Sequence, residues 1–461
     1  MKLYGLDIPV KNLPVLDTGY VPMAAFCRAF DKSAADGKDI AVAVERNQGQ
    51  MAVRRFRIHG TPAMAEADRV YVDRTVKMLL WAYGGYKVFI CGDDGMAGVI
   101  KEAYQPGGSR EFDADFMSRV YEKPFEVEAL PLDKTPAEKT LAQSVGRHLE
   151  GCRIGFDAGG SDRKVSAVVD GVPVYSEEVV WFPKTNEDPD YHYQGILDAF
   201  RSAAEKMPRV DAIGVSSAGI YVDNRAMVAS LFLKVPRDLF DQKVKDIYIR
   251  AAKELGDIPL EVANDGDVTA LAGAMSLEEN RVLGIAMGTS EAAGYVDTDG
   301  NITGWLNELA FAPVDLQADA MVDEWSGDKG CGVKYFSQDS VIKLAPRAGI
   351  ALDESLSPAE KLKVVQKEME TGSESARDIY RSIGVYLGHA LAYYAMYYSI
   401  AHVLLLGRVM SGEGGDLVIA EARRVLDEEY PECAAMALHL PDEKIRRVGQ
   451  SVAAASLPQI G

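Results

Sequence analysis

Apolar and polar positions alternate along this chain in two periods, and each change of period marks out an element. Ile40–Glu45 and Met51–Ile58 flank Asn47-Gln48-Gly49-Gln50, which predicts a hairpin. Ala67–Tyr83 repeats apolar residues at helical spacing, Gly84-Gly85 stops it, and Tyr86–Cys91 resumes as a strand. Thr135-Pro136-Ala137-Glu138 has the capping-box pattern with proline at the first helical position, so a helix is expected to join this stretch to the next. Ser357-Pro358-Ala359-Glu360 repeats that signature ahead of Lys361–Glu370. Cys152–Phe156 is a short apolar strand, and Val165–Val169 and Val172–Tyr175 are strands around the turn Asp170-Gly171. Leu260–Ala263, Leu283–Met287 and His402–Leu406 read as three further strands, the first leading into an Ala-rich helix. There is no internal repeat and no low-complexity segment.

Length adds a domain count. At 461 residues the chain exceeds one ordinary core, so two or three domains are expected. Residues 1–134 read as an α+β domain of unknown role, and 135–151 as a linker helix. Net charge is −19, which argues against a broad nucleic-acid or acidic-membrane surface. The charge is uneven: residues 1–150 carry 20 Lys+Arg against 21 Asp+Glu, leaving 30 against 48 for the rest. Val53-Arg54-Arg55-Phe56-Arg57 is a basic strand, more simply a solvated face than a nucleic-acid contact. The five cysteines (Cys27, Cys91, Cys152, Cys331, Cys433) are scattered, with no CxxC pair, which fits a reducing, cytoplasmic setting. Met1–Ile8 lacks the long apolar run of a signal peptide. Val385–Gly407 has no formally charged residue and could span a bilayer by length. Its Tyr393, Tyr394, Tyr397 and Tyr398 fall in the middle rather than at interfaces, which favours buried core.

The stretch Asp157-Ala158-Gly159-Gly160-Ser161-Asp162-Arg163-Lys164 carries the first chemistry. A strand, a side-chain-free glycine turn and a second strand let backbone N–H groups approach an anion. The Asp157 carboxylate could hold a hydrated magnesium ion beside the same anion. Taken alone the segment is most simply a turn.

Three further segments follow in order: Asn264-Asp265-Gly266-Asp267 between a strand and a helix, Gly288-Thr289-Ser290 at the end of a strand, and Gly407 at the end of another, with Ser411–Gly415 beyond it. Together these resemble the sugar kinase/actin/heat-shock ATPase superfamily, most closely its ROK branch, over residues 152–461. The resemblance implies an α/β fold of two ribonuclease-H-like (actin-like ATPase) domains with mixed five-stranded sheets around a cleft, beside the N-terminal α+β domain. The two would cover 152–282 and 283–461, with a C-terminal helix that can return to the first. It also splits 385–407 into a buried helix and a strand. ATP and Mg2+ are the implied cofactors. Asp265 becomes the catalytic base, against the alternative that it merely caps the next helix; Asp267, where the family usually has Asn, would then serve as the cap. Asn264 holds the acceptor hydroxyl. Asp157 (magnesium, through water), Gly159, Gly160, Ser161, Gly288, Thr289 and Gly407 face the nucleotide. Glu291 brings a negative charge toward the expected phosphates. Glu308 keeps the family's acceptor carboxylate, whereas Phe311 and Val333 replace its histidine and final glutamate, which favours a less polar acceptor than an ordinary hexose. The family's zinc motif falls on Glu324–Val333 and keeps only Cys331, so no zinc is expected, the loop 324–336 being held by Trp325, Tyr335 and Phe336. Repressors of the family carry an N-terminal helix-turn-helix, and no such pair of helices is read here.

The expected function is thus ATP-dependent phosphoryl transfer to a hydroxyl of a sugar or related small polyol. The alternative is a non-catalytic nucleotide- or sugar-binding regulatory protein. The expected partner is a small-molecule substrate, with no nucleic acid and no membrane; a homodimer is left open.

Overall fold

The computed structural model describes residues 1–140, 145–441 and 449–460. The chain is a mixed α/β protein that divides into two compact units. Unit one gathers Met1–Leu141, Ile285–Ala292 and Leu306–Leu440; unit two gathers Ala142–Gly284, Ala293–Trp305 and Pro441–Gly461.

Unit two is built on a five-stranded sheet in the order Leu260–Asn264, Ala212–Ser217, Cys152–Ala158, Asp162–Val169, Val172–Val180. The first three strands are parallel and the last two antiparallel. Cys152–Phe156 is buried throughout, as an apolar run in a central, parallel strand must be. Phe156 meets Phe200 edge to face with centroids 5.6 Å apart, and Trp181 and Tyr248 complete that core. The expected turn forms at Asp170 (φ 47°) and Gly171 (φ 79°), both left-handed as a two-residue hairpin requires. Helix Gln450–Ala455 lies directly on the sheet. A methyl on Gly155 would stand 1.7 Å from the Ser451 carbonyl oxygen, and one on Gly214 1.7 Å from that of Ala454, so glycine is what lets helix and sheet backbones touch.

In unit one the expected hairpin forms from Lys38–Glu45 and Met51–Ile58. It extends through Lys87–Cys91 to the parallel strand Glu126–Leu130, giving a four-stranded sheet. Helix Ala65–Tyr83 is stopped by Gly84 (φ 86°). The capping box at Ser357 opens helix Pro358–Glu370 as expected, its hydroxyl accepting from the Glu360 N–H.

The one at Thr135 does not. Residues 135–140 are not helical, because Lys139 pairs with Met51 through two backbone hydrogen bonds (2.8 and 3.0 Å) and extends the hairpin edge instead. Residues 141–144 of the expected linker helix lie outside the described residues. A second sheet runs Glu291–Val296, Val282–Met287, His402–Leu406, Ala437–His439. It has four strands among the described residues, where five were expected.

Helix Glu374–Tyr394 precedes strand His402–Leu406, dividing the uncharged stretch as expected. Tyr386, Tyr393 and Tyr394 are all buried. Among the described residues no helix is long and apolar enough to cross a membrane.

Candidate functional site

In unit two Asp157 sits near the end of its strand, in register with Ser216 on the parallel neighbour. The Ser216 hydroxyl donates to Asp157 Oδ1 at 3.0 Å. Ser216 in turn accepts from Gln450 Nε2 at 2.9 Å, and the same amide donates to the Asp265 carbonyl oxygen at 3.1 Å. The C-terminal helix thereby ties the Asp157 support to the backbone of Asp265. Burial pushes the Asp157 carboxyl up to about 6; the Ser216 hydrogen bond opposes that rise, and the charge of nearby Asp265 adds to it. Beyond Asp157 the glycine turn is braced by Trp181, whose N–H donates to the Ser161 carbonyl (3.1 Å) and whose indole N–H donates to that of Gly159 (2.8 Å).

Asn264 caps helix Asp265–Leu277: its Oδ1 accepts from the Gly266 N–H at 2.7 Å, while its Nδ2 donates to the Gly219 carbonyl at 2.7 Å. The cap was expected at Asp267. That residue lies inside the first turn, too late to cap it, and accepts instead from the Tyr295 N–H at 3.0 Å. Asp265 is the first helical residue. Burial raises its proton affinity, offset by the Gly266 N–H and by the charge of Lys184. Asp157, Asn264, Asp265 and the turn Gly159-Gly160-Ser161 thus belong to one unit and share one hydrogen-bonded frame, with Gln450 its missed member. Gln450 is invisible as a motif because it acts from a helix 185 positions after Asp265.

In unit one, Gly288 and Thr289 end strand Val282–Met287. Gln338 N–H donates to the Gly288 carbonyl at 2.9 Å, and Arg408 Nη2 donates to Thr289 Oγ1 at 2.8 Å. Gly407 lies beside them at φ 95°, where an added methyl would meet the Met287 carbonyl oxygen at 2.2 Å. Arg408 was not anticipated; the only signal was a basic residue directly after the strand-ending glycine.

Glu291 lies in a setting that the sequence did not show. It is buried, neither carboxyl oxygen has a hydrogen-bond partner, and burial, then the field of Glu308, pushes its pKa well above the carboxylate range. Desolvation penalises its charged form there.

Phe311 stacks on Trp81 with centroids 4.2 Å apart, within a cluster of Phe112, Phe116 and Trp325. Glu308, half-buried, precedes it, and Val333 accepts a hydrogen bond from Ser337 Oγ through its carbonyl. In the loop 324–336 Tyr335 and Phe336 are buried, and the Tyr335 hydroxyl bonds Asp315 at 2.5 Å. A second anchor was not foreseen. Asp328 pairs with Lys77 (3.1 Å), Arg74 (3.2 Å) and Arg110; Lys77 also pairs with Asp113, and Arg110 with Asp73. Despite the burial that opposes it, those cations hold the Asp328 carboxyl well below the usual range. Burial pushes the Cys331 thiol up to about 12. Among the described residues no group of three or more His, Cys, Asp or Glu could hold a metal ion.

No family model matches the sequence, and no curated protein matches it. Solved structures do. The chain is similar to a ROK hexokinase from Thermus thermophilus at 18% identity and TM-score 0.51, over 66% of this chain and 97% of that one. It is also similar to a ROK family glucokinase from Streptomyces griseus (20% identity, TM-score 0.48, 68% of this chain and 100% of that one). A ROK family transcriptional regulator, a homologue of the E. coli MLC protein, gives 16% identity and TM-score 0.49 over 67% of this chain and 79% of that one. About two thirds of the chain thus has the fold of the Thermus protein.

Proposed function

We propose that this chain, which shares the fold of ROK-family proteins, is a divergent member of that family and transfers the terminal phosphoryl group of ATP to a hydroxyl of a sugar or related polyol. The observation that carries the reading is the Asp265 carboxyl, half-buried at a helix start and raised in proton affinity, on a residue whose backbone carbonyl is tied through Gln450 to the support of Asp157. A base must bind the proton it removes, so a carboxylate whose pKa is lifted toward neutrality is better suited than an exposed one. In the proposed step the acceptor hydroxyl oxygen forms a bond to the terminal phosphorus, the bond from that phosphorus to the bridging oxygen breaks, and the hydroxyl proton passes to Asp265.

Asp157 fits a magnesium role. It is a hard oxygen donor, one oxygen already oriented by Ser216, and its raised proton affinity is what a nearby dication would relieve. Magnesium there would offset negative charge on the phosphates. The turns Gly159-Gly160-Ser161 and Gly288-Thr289, with Gly407, are the candidate phosphate and nucleoside contacts. Glu308 and Asn264 are the candidate acceptor contacts. Phe311 and Val333 would leave the acceptor side less polar. The two ribonuclease-H-like domains are assigned to 152–282 and 283–461, with the N-terminal α+β domain before them. The five cysteines are buried and unpaired, which supports a cytoplasmic setting.

The competing reading, a binding protein without transfer, draws on the Phe311 side chain being packed among aromatic rings. Both are tested by incubating the protein with magnesium, ATP labelled at its terminal phosphate, and a panel of sugars and polyols. Transfer to at least one acceptor, lost by about 100-fold or more in Asp265→Asn, is expected. Nucleotide binding with no transfer to any acceptor would leave the binding protein.

A further inference from the structure

Lys184 enters the reading above only through its charge on Asp265, yet its position is built. It lies on the short turn Pro183–Thr185, where Pro183 is buried and its carbonyl meets the ring of the fully buried His192 at 2.9 Å. Just before that turn, Trp181 bonds the carbonyls of both Gly159 and Ser161. The segment carrying Lys184 is thus fastened to the glycine turn by backbone and indole alike. Its ammonium reaches back over that turn: a methyl placed on Gly160 would stand 3.0 Å from Lys184 Nζ and 2.9 Å from its Cε.

The other cations of the turn are occupied. Lys164 pairs with Asp162 at 3.6 Å and Glu178 at 3.7 Å, and Arg163 is folded over the Trp181 ring, 5.9 Å from its centroid. Lys184 is exposed, and among the described residues no hydrogen bond or ion pair engages its ammonium. The charge of Lys184 reaches Asp265, and Asp162 lies against Gly159, so an anion entering the glycine turn would meet carboxylates unless a cation met it first. A long, flexible lysine with three donors suits a phosphate as a point charge, without the fixed geometry of arginine.

We propose that Lys184 is a phosphate-binding residue that clamps the terminal phosphate of a polyphosphate chain onto the turn Gly159-Gly160. The inference rests on the nucleotide reading of that turn. It specifies the ligand group as phosphate rather than nucleoside or sugar, and it gives unit two a cation of its own for the transferring group.

The test is calorimetric binding of magnesium ATP, magnesium tripolyphosphate and adenosine to the full chain and to Lys184→Ala and Lys184→Arg. Because Lys184 is exposed and pairs with nothing, both variants should melt with the wild type. Lys184→Ala is expected to weaken ATP and tripolyphosphate by about 10- to 100-fold. Adenosine affinity should stay unchanged, and Lys184→Arg should recover most of the loss. Equal ATP affinity in wild type and Lys184→Ala, or a loss shared by adenosine, would overturn the role of Lys184 while leaving the nucleotide reading intact. A wild type that binds neither ATP nor tripolyphosphate would overturn both.

Discussion

Asp157 in unit two and Asp328 in unit one are both largely withdrawn from water, yet burial leaves them in opposite states. Asp328 is ringed by Lys77, Arg74 and Arg110, and stays ionised far below the pH at which a free carboxylate would protonate. Asp157 has a serine hydroxyl for a partner and another carboxylate nearby, and is pushed up to about 6. The first is a structural charge: it holds the loop 324–336 to the helix Ala65–Tyr83 and has nothing left to exchange. The second is held in place by neutral groups, so its charge remains available to a cation or a proton. The loop 324–336 is thus fastened by charge, whereas the proposed function places its chemistry at Asp157 and Asp265.

The comparison breaks most visibly at Lys77. Lys77→Met leaves Asp113 and Asp328 buried with part of their compensating charge gone, and should cost about 3–5 kcal/mol in urea unfolding. A cost below about 1 kcal/mol would mean that aromatic packing alone holds the loop.

Asp157→Asn should move the other way. A carboxyl raised from its ordinary value to about 6 favours the folded state fully below pH 4, and that contribution is lost as pH rises through about 6. The variant should therefore be more stable than wild type at pH 7.5, by at most about 3 kcal/mol at about 1.4 kcal/mol per pKa unit, with the gap closing near pH 4. It should also lose magnesium-dependent nucleotide binding. Asp328→Asn has the opposite sign: a depressed carboxyl stabilises above its unfolded value, so this variant is weakened at pH 7.5.

Gln450→Ala should have the smallest effect. It frees Ser216 and the Asp265 carbonyl at a cost of about 1 kcal/mol. With Ser216 less well oriented, its hydrogen bond lowers the Asp157 pKa less, so the acid limb of magnesium-nucleotide binding should shift to higher pH. An unshifted limb would reduce Gln450 to a packing residue.

Local order explains what could be read in the sequence. The strand–turn–strand at 152–180, the Asn264-Asp265 pair before its helix and the Gly288-Thr289 turn are contiguous patterns, and each forms where the pattern lies. Gln450 and Arg408 were missed because each reaches its partner from a distant segment. The Asp328 cluster joins residues 251 positions apart, which leaves no periodicity to detect. Thr135 misled because a capping box is only a local preference, and strand pairing at Met51 and Lys139 overrode it. Glu291 is a different case: a sequence shows an ionisable group but not the burial that raises its proton affinity.

The state of Asp157 is the most direct test. Protein carrying aspartate labelled at the side-chain carboxyl carbon would be titrated by NMR, with Asp157→Asn and Asp328→Asn used to assign the two resonances. The account predicts a midpoint near 6 for Asp157 and no titration of Asp328 across the same range. A midpoint at the ordinary aspartate value of about 4 for Asp157 would contradict it.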